Sequence, residues 1–302
     1  MEGINRGNGN YFIYYVCFQN IDNHTSIKVS SQSENTKILV HTCIFQHCTS
    51  IEDIYTGGCL SFSENGHIII KKVYCKFCSS FATDHSAQTF NIKCLKCVVS
   101  LSSFSSCNGT GNYASVLRIN SESQLTELNE SYNACKYVTG FVLISSSSYK
   151  FSILSSNSAT NARILHFTGG NIFFTENMII NNSETQQGIA FAEGSVNVTI
   201  LKCSFVKNIG NSLFYVYFYS SGIASMTVED CSLISNEARQ TYFADQGMIL
   251  NTENIGIVSF QVYLPALSDL DTLSPFSDYQ ITCRIILRSS LWIYFLFPIV
   301  IF

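Results

Sequence analysis

Two cysteine pairs carry the most overt chemistry in this 302-residue chain: Cys75 with Cys78, and Cys94 with Cys97. Each C-x-x-C pair has the spacing of half a zinc ribbon, and together they offer four thiolates for one tetrahedral ion. On an extended strand, however, side chains i and i+3 leave opposite faces, so two thiolates spaced this way do not meet at one metal. The flanking segments read as strands, which predicts small apolar filling of an interior rather than a zinc site. His41, Cys43 and His47 form a second constellation with one strand parity, but Phe45 intervenes and no carboxylate accompanies them. Neither group is assigned as a metal centre, and no cofactor is expected.

Acid–base chemistry on a polymer needs clustered carboxylates with a nearby cation. Asp22, Asp53, Asp84, Asp230 and Asp245 are dispersed and share no repeat position. Glu229 and Asp230 are adjacent, and adjacent strand residues point apart. Asp269 and Asp271 follow the repeats. This reading assigns no catalytic residue and expects a chain that is not an enzyme.

The elements that would position any site are visible in a returning phrase. Cys203-Ser-Phe205-Val-Lys-Asn208 is followed one period later by Cys231-Ser-Leu233-Ile-Ser-Asn236. The frame also fits Ile179 to Asn182, degenerately Ile153, and earlier Cys43-Ile-Phe45 and Cys75-Lys-Phe77. Apolar anchors at 153, 179, 205 and 233 are spaced 26, 26 and 28 residues, and Gly169, Gly194, Gly222 and Gly247 keep similar time. A period of this length marks a solenoid or array. Short β-branched and aromatic runs such as 68–74, 141–144, 196–201 and 213–219 supply strands, bounded by Gly, Ser or Asn. No segment shows a capped 3.6-residue period. Two-residue hairpin turns are nearly absent, and the anchor and the asparagine recur once per unit, so each unit reads as one rung. Equivalent residues then stack about 4.8 Å apart, and Asn157, Asn182, Asn208 and Asn236 form an amide ladder at one corner. The serines at 102–106 and 145–148 read as turn or loop.

The predicted fold is all-β: a right-handed parallel β-helix of roughly nine rungs. Residues 1–34 read as an N-terminal capping segment, 35–264 as the repeats, 265–284 as a non-repeat linker and 285–302 as a hydrophobic C-terminal segment. All three prolines lie after residue 264, as expected if the preceding strands are central and each must donate to a ladder.

Phe205–Asn208, Ile179–Asn182 with Gly188-Ile-Ala190, and Phe45–Cys48 with Gly57-Gly58 resemble the F-x-x-N and Gly-Gly repeats of polymorphic outer-membrane proteins. They are also similar to large pectin-lyase-like β-helix surface proteins of some protists. The resemblance implies surface display and adhesion without a conserved chemistry, although no autotransporter barrel is visible here.

Charge and the tail bound the partners. Charged residues make up 13 % of the chain, the net charge is −4, and no Lys/Arg cluster appears, which argues against nucleic acid. The run from Ile285 to Phe302 has Arg288 inside it, and Trp292 and Tyr294 suit an interface, so membrane association through 285–302 is an expectation. The functional expectation is a non-catalytic surface or structural protein that presents or adheres to a glycan or protein ligand. Its location would be the cell surface or the extracellular space. The alternative is a carbohydrate-binding or polysaccharide-degrading β-helix of the pectin-lyase-like type.

Overall fold

The computed structural model describes residues 9–31, 33–51, 57–81, 87–108, 115–136, 138–161, 163–219 and 222–255. Its strands pair in parallel throughout, each with a strand one rung away. The chain is a parallel β-solenoid of about eight turns with no helix among the described residues. Each turn runs through three faces. The first sheet contains Ile27–Ser31, Leu60–Glu64, Val138–Leu143 and the opening halves of longer strands such as Arg163–Thr175 and Gly188–Leu201. The second contains Asn10–Tyr14, Lys37–His41, His67–Lys71, Ser147–Lys150 and Ser225–Glu229. The third contains Ile44–Ser50, Ile153–Ser155, Met178–Ile180, Ser204–Val206 and Ser232–Ile234. Within the segment 1–34, Asn10–Tyr14 and Cys17–Ile21 already pair with the strands of the next rung.

The corners between second and third sheet, and after the third, are each made by one residue in the left-handed region. The first corner includes Tyr15, Thr42, Lys72, Glu127, Glu176, Lys202 and Asp230; the second includes Asn20, His47, Phe77, Tyr132, Asn181, Lys207 and Ser235. Left-handed backbone costs a non-glycine residue roughly 1–2 kcal/mol. The hydrogen-bond ladder continues through the bend and offsets that cost. Thr42 N–H donates to Lys71 O, Lys202 N–H to Glu229 O and Lys207 N–H to Ile234 O, at 2.9–3.0 Å.

These corners change the parity on which the cysteine argument rested. Phe77 is a corner residue with φ of 55°, so Cys75 before it and Cys78 after it both face the interior and are fully buried. A register shift between Lys93 and Lys96 brings Cys94 and Cys97 inward in the same way. The expected opposite orientation does not occur. Phe77 is correspondingly no anchor: Cys75 itself occupies the column of Phe45 and Phe104. His41, Cys43 and His47 do not share a strand either, because Thr42 and His47 are successive corners.

The interior column runs Phe45, Cys75, Phe104, Glu130, Leu154, Ile179, Phe205 and Leu233. Leu154, one residue beyond the expected Ile153, is the buried member of its rung. Three residues further along each rung stands the amide ladder. Asn157 N–H donates to Asn182 Oδ1, Asn182 N–H to Asn208 Oδ1 and Asn208 N–H to Asn236 Oδ1, at 2.9–3.0 Å. Asn133 extends it, and Cys107, Cys78 and Cys48 occupy the same position in earlier rungs. Each of those thiols donates to the carbonyl that an amide would reach, Cys75 O, Phe45 O and Phe18 O respectively. The serines at 102–103 and 147 are buried strand residues rather than loop, with Ser147 bonded to Ser123 at 2.7 Å. The tail 285–302, the linker and the 264 boundary lie outside the described residues. Among the described residues no helix is long and apolar enough to cross a membrane.

Candidate functional site

The outward side of the first sheet holds a column that the interior does not explain. Strand parity sends Leu165 and Phe167 inward and His166 outward; one rung on, Ala190 and Ala192 face in while Phe191 and Glu193 face out. Register then aligns Arg118, Val142, His166, Phe191 and Tyr215 on successive rungs. Phe191 is fully buried although it is not part of the interior cluster. Its cover is made of side chains. The Arg163 guanidinium lies 4.1 Å from the ring centroid, and the rings of His166, Tyr215 and Tyr217 stand 5.2–5.9 Å away.

Three polar groups converge above that ring. His166 Nε2 is 2.8 Å from Glu193 Oε1, Arg163 Nη1 is 3.5 Å from Glu193 Oε2, and Arg163 Nη1 is 3.2 Å from His166 Nε2. With Nε2–H of a neutral imidazole donating to an ionised Glu193, Arg163 neutralises the carboxylate, and its approach to the same Nε2 is a close contact of two donors and not a hydrogen bond. Burial, reinforced by the positive charge of Arg163, pushes His166 down to about 4, so the ring is neutral at pH 7. Burial raises Glu193, but the hydrogen bond from His166 and the charge of Arg163 outweigh it and hold the carboxyl below its usual range. The result is a carboxylate and a neutral imidazole in contact, partly open to solvent.

A neighbouring carboxylate fixes the loop that enters this strand. Glu184 Oε2 accepts from the backbone N–H of Gln186 and Gln187 at 2.7 and 2.9 Å, and Oε1 accepts from Asn211 N–H at 2.5 Å. The chain is thereby delivered to Gly188 in register with Arg163.

The residues weighed from sequence sit elsewhere. The thiols of Cys75 and Cys94 are pushed up to about 12 and 11, chiefly by burial, which disfavours the thiolate a metal or a nucleophile needs. No group of three or more His, Cys, Asp or Glu among the described residues is arranged to hold a metal ion. His41 bonds Thr42 at 2.6 Å and stacks on Tyr14, whereas His47 stacks on Phe77 a corner away. Asp230 is a corner residue bonded to Asn254, and Asp245 accepts from Phe218 N–H. Asp53 and Asp84 lie outside the described residues. His166, Glu193 and Arg163 were not singled out from sequence. The available signal was parity: His166 and Glu193 are 27 residues apart and both fall on outward positions of one face.

No family model matches the chain, and no curated protein matches it. The likeness of its repeats to those of polymorphic outer-membrane proteins therefore stands at the level of the parallel β-helix alone. A solved structure that matches is a point mutant of the periplasmic alginate epimerase AlgG, at 9 % identity and a TM-score of 0.24, over 82 % of this chain and 78 % of that one. The expectation that this chain is not an enzyme is corrected by that finding, since the matching structure is an enzyme's. At this TM-score the likeness assigns no activity here.

Proposed function

We propose that this chain is a carbohydrate-binding β-helix of the pectin-lyase-like type that engages a polysaccharide along the outer face of its first sheet. The observation that carries the reading is the 2.8 Å contact between His166 and Glu193 on an outward face, with Arg163 beside it. A solenoid face presents equivalent positions about every 4.8 Å, which suits a repeating polymer. Arg163 and Arg118 offer planar donors for sugar carboxylates or hydroxyls. Tyr215 and Tyr217 offer ring faces and hydroxyls next to them. The ionised Glu193 and the neutral His166 form a pair able to take a proton from a bound sugar and return it. A surface or extracellular location goes with this reading, since such polymers lie outside the cell.

Affinity electrophoresis of the full chain tests it, in gels carrying polygalacturonate, alginate or a neutral glucan. A carboxylated polymer should retard the protein. Arg163→Gln and Tyr217→Ala should each lose that retardation while keeping the native circular dichroism spectrum. Glu193→Gln should keep retardation and lose any modification of the polymer. Free migration in every gel, or equal retardation of Arg163→Gln, would contradict the reading.

A further inference from the structure

The outer face of the second sheet differs in kind from the first. At its N-terminal end, register stacks Phe12, Leu39, Ile69 and Val98 outward on four successive rungs. Phe12 is 52 % and Ile69 46 % exposed, and Leu95 beside them is exposed too. Lys37 and Lys96 align on one side of this apolar column, and Lys71 on the other, with Lys72 at the adjoining corner. Tyr14 and Tyr15 complete that edge, both about half exposed. None of the outward positions on these four strands is acidic. Glu122, one rung further on, is the first carboxylate in the column of Lys96. The local potential registers on His41, whose pKa is lowered by burial and then by the charges of Lys71 and Lys72.

We propose that this face docks on an anionic lipid surface, with Phe12, Leu39 and Ile69 entering the boundary between headgroups and acyl chains and the lysines meeting lipid phosphates and carboxylates. Charge complementarity selects an anionic partner. The aliphatic members of the column, Leu39, Ile69 and Val98, select lipid over a soluble acidic polymer, because they gain free energy in hydrocarbon and offer a sugar neither a ring face nor a hydrogen bond. Tyrosines at the edge suit the headgroup level. The face is about 15 Å across its four strands, so it lies on a bilayer and does not cross it. This inference is independent of the site on the first sheet.

Co-sedimentation of the full chain tests it, using phosphatidylcholine vesicles with and without phosphatidylserine. The protein should pellet with the phosphatidylserine vesicles and be released by salt. Lys71→Gln with Lys72→Gln should weaken binding about 25-fold, from about fivefold per lysine near an anionic surface. Ile69→Ser, an exposed change that spares the interior, should weaken binding without changing the salt dependence. Equal pelleting with phosphatidylcholine alone would overturn the proposal. So would binding unaltered in these variants, which is the result expected if the C-terminal run 285–302 is what partitions. Capture of the face by soluble polygalacturonate with no vesicle binding would likewise overturn it.

Discussion

Glu130 stands in the interior column between Phe104 and Leu154, where every other rung places an apolar side chain. Its Oε1 accepts from the Tyr149 hydroxyl at 3.1 Å, and its Oε2 is buried with no hydrogen-bond partner. Burial pushes the acid up to about 8, against a smaller opposing effect of the Tyr149 bond. A carboxyl whose folded pKa is raised binds its proton more tightly in the native state. Its contribution is therefore complete below about pH 4.5, the unfolded value, and is lost as pH climbs through about 8. Unfolding free energies from urea titrations across that window should fall by an amount on the order of a few kcal/mol, and Glu130→Gln should flatten the fall. A fall of equal size in Glu130→Gln would assign it to another group. His166 acts in the opposite sense: its lowered pKa removes stability as pH falls from 6.5 through about 4. Glu130 was legible in principle, since Glu130-Ser-Tyr-Asn133 is the repeat phrase with the anchor replaced. An acid at the anchor position breaks the apolar pattern that marks the other rungs. The same reading turns both Cys75-Lys-Phe-Cys78 and Phe45-Gln-His-Cys48 into copies of one phrase rather than metal ligands.

At the scale of the element, the amide ladder is the device that holds one rung to the next. Asn182 accepts from Asn157 through Oδ1 and donates through Nδ2 to Leu154 O at 2.9 Å, while its own N–H donates to Asn208. Asn182→Ala leaves those buried partners unsatisfied and should cost about 2–4 kcal/mol by chemical denaturation. Asn181→Gly, at the exposed corner next to it, should change stability by under about 1 kcal/mol. Equal losses would mean that the corner, not the ladder, locks the rungs. The ladder was legible because asparagine recurs at fixed offset from an anchor. The corners were not, because Tyr, Thr, Lys, Glu, Phe and Asp all occupy them and share no side-chain chemistry. Their uniformity is in the backbone, five residues apart in each rung, as at Thr42 and His47 or Lys202 and Lys207. Missing them inverted the predicted direction of the C-x-x-C pairs.

At the scale of the molecule, the stacked rungs create long faces of different character: a recessed Arg–His–Glu cluster over aromatic rings on the first sheet, and an apolar, lysine-edged strip at the N-terminal end of the second. The parallel solenoid itself was legible from period, proline placement and the lack of hairpin turns. The first-sheet cluster was not, because its members are brought together only once the rung length and the parity of each strand are fixed. Arg163 and His166 belong to one strand and Glu193 to the next. Hydrogen–deuterium exchange of the full chain with and without a carboxylated polysaccharide tests the functional reading most directly. The account predicts slowed exchange in the stretches 163–168, 188–193 and 212–217, with the third sheet unchanged. Slowed exchange confined to another face, or none at polymer concentrations that saturate binding, would contradict it.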